Sequence, residues 1–227
     1  MRKLLLMLVC FTSALPLAQA QWMAGLALVN TAIWPQPDLR VPVPSTPNDS
    51  APAAKEKQAP PLLAPAGTAV QANARELAAR FPAEQRARLE QAFRQSMDIY
   101  GQLTTKLDMP QRDMAASLAA FIVGNYMVMH EADVPDEVFK AVAAQLREQS
   151  GLRAMGKRVK SDQLRTLYEQ SAMVGTFMAL TWKSQQQTPQ PPQVWANVRD
   201  AARANLQTVL RADPSRLRLD TAGMHMD

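Results

Sequence analysis

Residues 113–130, DMAASLAAFIVGNYMVMH, decide the fold. The stretch is apolar or small on nearly every side, with Asp113 as its only acid, at the start. Ser117, Gly124, Asn125 and the hydroxyl of Tyr126 are the other interruptions before His130. A helix that is hydrophobic all round has no face to offer water and must be surrounded. Other helices are therefore expected to pack about a central helix over 112–130.

The flanking segments supply them. Val70, Ala74, Leu77 and Phe81 step by four, three and four, the spacing of one helical face over 68–81, and Pro82 ends or bends it. Leu89, Phe93, Met97, Tyr100, Leu103 and Leu107 form a stripe over 83–107 that Pro110 stops. Beyond the centre, Pro135 opens a helix to about 149. Asp136 and Glu137 lie in its first turn, where acid suits the positive end of the helix dipole. Residues 150–160, SGLRAMGKRVK, read as a basic connection with two glycines. Ser161 is the expected N-cap of a helix over 162–186. Thr188 to Pro192 break the chain before a last helix over 192–211. The expected fold is all-α, a bundle of five or six mostly antiparallel helices. Glycine costs about 1 kcal/mol against alanine inside a helix. Gly124 and Gly175 are therefore expected to mark a close crossing of two long helices.

The ends of the chain differ in character. Residues 1–20 carry Arg2 and Lys3, an apolar run from Leu4 to Leu17 and the small-x-small ending Ala18-Gln19-Ala20, the pattern of a secretory signal peptide. Cys10 lies in that run, so the mature chain is expected to hold no cysteine, and with none it has no disulfide, thiolate metal site or cysteine nucleophile. Removing the leader lowers the net charge from +5 to +3. With export, this does not suggest nucleic acid. Residues 21–34, QWMAGLALVNTAIW, are an apolar segment suited to packing on the bundle or to a membrane or partner surface. After leader cleavage no segment reads as a transmembrane span. Residues 35–66 hold nine prolines and are expected to form a disordered arm or linker, on the order of 100 Å long if extended. A helical domain over 67–212 and a tail over 213–227 complete the chain. In the tail Arg216-Leu217-Arg218-Leu219 alternates like a short strand, and 221–227 is expected to fray.

The runs quoted, with VPDEVFKAVAAQLRE (134–148), LYEQSAMVGTFMALTW (167–182) and VLRADPSRLRLDTAGM (209–224), resemble DUF6683, a bacterial exported family of unknown function. The shared pattern is an aspartate opening a small-residue helix that ends near a tyrosine (Asp113, Tyr126). A Pro-Asp helix start follows (Pro135-Asp136), then an arginine-rich alternation ending in glycine (Gly223). The resemblance covers about 80–223 and implies fold and export, with no activity to transfer. The segment 150–160 is more basic than the family pattern leads one to expect.

Candidates for chemistry are few. Glu131, Asp133, Asp136 and Glu137 could serve as paired carboxylates, or simply cap and compensate a helix start. Met127, His130, Met224, His225 and Met226 are soft-metal candidates, since thioether and imidazole suit Cu(I). As an alternative, Met127 and Met129 fill the core. Arg147, Arg153, Lys157, Arg158, Lys160 and Arg165 could meet an anionic envelope polymer or lipid head groups, or form a solvated loop. Buried Asn125 needs a partner, with Tyr100, Tyr168 or a backbone carbonyl in reach. Motifs for phosphate loops, HExxH zinc sites and GxSxG nucleophiles do not occur. The expected function is a non-enzymatic interaction or assembly module with an envelope partner, periplasmic or extracellular, with no cofactor. A small-ligand or copper-binding protein is the alternative, and an enzyme built on carboxylates the third.

Overall fold

In the computed structural model, residues 60–227 are described, except for the side chain of Ser150. The expectations for the leader, for 21–34 and for most of the arm lie outside them. The elements are α1 (Val70–Ala78), α2 (Ala83–Lys106), α3 (Met114–His130), α4 (Asp136–Glu148), α5 (Ser150–Arg158), α6 (Ser161–Gln187) and α7 (Pro192–Leu210). A 3-10 turn (Pro214–Arg216) and two strands, β1 (Leu217–Asp220) and β2 (Gly223–Met226), follow. The protein is thus mostly helical, with seven helices among the described residues rather than five or six.

Helix α3 is the surrounded element its composition demands: Met114 to Asn125 are all buried, as are Met127 and Val128. Its principal neighbour is α6, which is buried almost without interruption from Leu167 to Met178. The two cross where both side chains are absent. A Cβ added at Gly124 would collide with the Gly175 carbonyl, lying 2.7 Å from its carbon, and one at Gly175 would collide with the backbone of Ala120 and Phe121.

The helices are not uniformly antiparallel. Tyr168 senses Asp113, Gly175 meets Ala120 to Gly124, and Trp182 bonds Asp133, so contacts advance along α3 and α6 together. The central pair therefore runs parallel. That is possible because α4 and α5 carry the chain back before α6 begins. Helix α2 is antiparallel to α6 through Phe93–Phe177 and Tyr100–Tyr168. Helix α7 is antiparallel to α3 through Asn205–Asn125 and Arg199–Glu131.

Three segments depart from expectation. Residues 150–158 are helical, because Leu152 is buried and the Leu62 side chain lies over Gly156. Ser161 is the first residue of α6 and Lys160 its N-cap, with the Lys160 amide donating to Gln163 Oε1 at 3.4 Å. The tail does not fray: β1 and β2 pair antiparallel, Leu217 opposite Met226 and Asp220 opposite Gly223. Leu217, Met224 and Met226 enter the core. The hairpin backbone is also tied to α4 by one side chain, as Gln145 Nε2 donates to the Met224 carbonyl at 2.8 Å and Met224 N–H donates to Gln145 Oε1 at 2.7 Å. Gly223, at φ +115°, is needed for that approach, since a Cβ there would lie 2.6 Å from Gln145 Oε1.

Candidate functional site: the junction at Asp113

The densest polar constellation gathers at the start of α3. Asp113 is fully buried and caps the helix, its Oδ1 accepting from Ala115 N–H at 3.0 Å. Its Oδ2 accepts from Arg147 Nη2 at 2.6 Å and Nε at 3.1 Å, from the last turn of α4. Residues 62–64 lie antiparallel beside it: Met114 N–H donates to Leu62 O and Ala64 N–H to Arg112 O. Arg112 Nη1 donates to Ala64 O at 2.8 Å, and Arg165 Nη2 to Ala66 O at 2.8 Å. The inner end of the proline-rich segment is therefore fixed to the central helix.

Two tyrosines stand against this junction, with ring centroids 6.0 Å apart. Burial pushes the Tyr100 hydroxyl well above its usual value, and Tyr168 and Asp113 add to it. Burial also raises Tyr168, against hydrogen bonds from Tyr100 and from the Arg112 backbone. Both are thus neutral hydrogen-bonding groups. Tyr168 lines an open groove of about 760 Å³ together with Met97, Gly101, Thr104, Lys106 and Arg112. Behind the tyrosines, Glu169 is 2% exposed and accepts from Ala69 N–H at 2.9 Å and Asn73 Nδ2 at 2.6 Å, which fixes the start of α1. Neither Arg147 nor Glu169 was legible as a buried partner, because charge on a helix normally marks its wet face.

The acidic turn after α3 does structural work. Asp133 Oδ1 accepts from Trp182 Nε1 at 2.8 Å and pairs with Lys183 at 2.7 Å. Glu131 Oε1 accepts from Trp195 Nε1 at 3.1 Å and pairs with Arg199 at 2.7 Å. The two indoles stack at 6.0 Å, so each carboxylate holds one ring and one cation. Hydrogen bonds from Arg199 and Trp195 keep Glu131 below its usual range. Burial works upward on Asp133 but is outweighed by Lys183, Trp182 and Gln186. Both acids stay charged, which does not suit a proton donor. Asp136 and Glu137 stand in the first turn of α4, with Lys106 on Asp136 at 3.0 Å.

The soft-metal candidates lie on α3 and on β2. Met127 is core. Along β2, Met224 and Met226 face inward while His225 alternates to the other side, 3.7 Å from Asp220. His130 stacks on Tyr126 at 4.2 Å, with its Nε2 buried and without a partner. Burial and the nearby Arg218 lower its pKa, the Pro214 carbonyl works against this, and Arg203 adds to the lowering. Among the described residues no three His, Cys, Asp or Glu side chains group as metal ligands, and no helix is long and apolar enough to cross a membrane. Asn125 Nδ2 donates to the Phe121 carbonyl at 2.7 Å, and its Oδ1 accepts from Asn205 at 2.9 Å. The backbone carbonyl was an expected partner. Asn205, eighty residues away, was not.

The model of the family of unknown function DUF6683 matches residues 4–227, with the Asp113 helix, the Pro135-Asp136 start and the Gly223 hairpin all inside it. The chain belongs to this family. Neither a curated protein nor a solved structure matches it. In this family member, Asp113 opens α3 and binds α4, while Gly223 lets the closing hairpin dock on Gln145.

Proposed function

We propose that the protein is exported and serves as a non-enzymatic interaction or assembly module of a bacterial envelope, with a helical domain carried on a proline-rich arm. The observation that carries this is the arm's root. Residues 62–66 are bonded to Arg112, Met114 and Arg165, so whatever the arm engages is coupled to a rigid core. The leader-like 1–20, with Arg2, Lys3 and the Ala18-Gln19-Ala20 ending, supports export. Of the acids that could have supplied acid–base chemistry, Glu131 and Asp133 are each engaged with an indole and a cation, and Asp136 pairs with Lys106.

The test is mild crosslinking in the native envelope followed by purification of tagged protein, beside a form lacking 35–59. Residues 60–66 stay in place because they belong to the core. A specific partner lost with the deletion is expected. A partner retained without the arm moves the contact to the bundle or to 21–34. A monomer that captures nothing contradicts the proposal. A second reading, a small-ligand protein, is favoured by the groove beside Tyr168, whose hydroxyl accepts from Tyr100 and the Arg112 backbone and keeps its own proton to offer. Thermal shift against a library of small polar metabolites, repeated with Tyr168→Phe, tests it.

A further inference from the structure

The end of the bundle where the arm enters is basic beyond what its own carboxylates compensate. Leu62 lies over Gly156 and bonds Met114, and Arg165 holds Ala66, so α5, the arm root and the start of α6 share one end of the bundle, with the buried Asp113–Arg147 pair beneath them. Three of its carboxylates are matched by cations, Asp113 by Arg147, Glu148 by Arg153 and Asp162 by Arg165, and the buried Glu169 is held by the Ala69 N–H and Asn73. Lys157, Arg158 and Lys160 remain, all exposed, with no carboxylate within ion-pair distance among the described residues. Arg112, on the same side, spends its guanidinium on the Ala64 carbonyl. Leu63 is one of two large hydrophobic side chains left exposed among the described residues, and it sits in this same region, next to the Leu62 that lies over Gly156.

We propose that this end, built from Lys157, Arg158, Lys160 and Leu63, docks on the surface of an anionic lipid bilayer. Cations attract the phosphates over about a Debye length, ~8 Å at physiological salt, while an exposed apolar side chain at the same end of the bundle gains only where there is a hydrocarbon boundary to enter. The pairing of the two is what favours a bilayer over a soluble polyanion. The contact would also add to any made through the arm. Segment 21–34 is tethered to the same end, so its binding to the same surface would be intramolecular after the first contact.

The experiment is co-sedimentation of the chain from Gln21 with vesicles of phosphatidylglycerol and phosphatidylcholine, read as the difference between variants in one background. The expected result is binding that weakens with added salt and falls on the order of tenfold or more for K157E/R158E/K160E. Leu63→Asp should weaken it as well. Unchanged circular dichroism and melting would show that these exposed substitutions leave the fold intact. Vesicle binding insensitive to the triple reversal overturns the proposal, as does no vesicle binding at all. Loss with the triple reversal, but none with Leu63→Asp and full competition by soluble polyphosphate, assigns the cations to a polyanion and also overturns it.

Discussion

At the residue scale, Gly124 and Gly175 have no room for a methyl group. A Cβ at either meets backbone of the opposite helix, which cannot rotate away as a side chain could. Gly124→Ala and Gly175→Ala should each destabilise by about 1–3 kcal/mol or more from overpacking, although alanine is the better helix former. Chemical denaturation measures this, and a stabilised Gly124→Ala would show that the helices are not in contact there. Asp113→Asn keeps the cap but leaves a nearly buried Arg147 without its counter-charge. Breaking a buried ion pair in that way costs roughly 3–5 kcal/mol, far above the ~1 kcal/mol of a cap alone. The cap was legible from Asp113 before an apolar run. The Arg147 partner was not, since it depends on how α4 returns along α3.

At the element scale, the hairpin and the acidic turn each hang on few bonds. Gln145→Ala removes both bonds to Met224, and at about 1 kcal/mol net for each hydrogen bond the hairpin, still held by Leu217, Met224 and Met226 in the core, should open more readily while the helices stay intact. Hydrogen exchange should then show faster exchange at Met224 with α3 unchanged. Acid should act through two groups in turn. His130 resists protonation in the folded chain, so the stability held by its neutral ring is full above the ordinary value of 6.5 and is lost as pH falls from there toward the lower folded value. Glu131 and Asp133 are held low, so their contribution is full above the ordinary 4.5 and 3.8 and is lost as pH falls through the folded values. Melting temperature against pH should therefore drop in two stages, and the upper one should vanish in His130→Gln. The long helices could be read from their stripes and prolines. Helix α5 could not, because two glycines and four cations in SGLRAMGKRVK speak against a helix, and the Leu62 that covers Gly156 comes from more than ninety residues earlier. The tail showed its alternation over 216–219. Its return strand, however, follows a two-residue turn of Thr221 and Ala222 that carries no turn signal before Gly223.

At the scale of the molecule, composition was enough to say that α3 lies at the centre, but not that α3 and α6 run parallel. That direction is set by α4 and α5 acting together as a crossover, and neither element signals it alone. The resulting architecture keeps polar groups in the interior for structural ends: Asn125 with Asn205, Glu169 with Asn73, Asp113 with Arg147. In the proposed reading, the chemistry left for partners is peripheral, on the arm root and the basic end. Native-state hydrogen exchange tests this division most directly. Amides of α3 and of α6 from Leu167 to Met178 should exchange only through global unfolding, at the full free energy of the protein, while β2 and α5 open more readily. Exchange of α3 through a cheaper local opening would contradict the account. It would mean that the centre moves and that function belongs there.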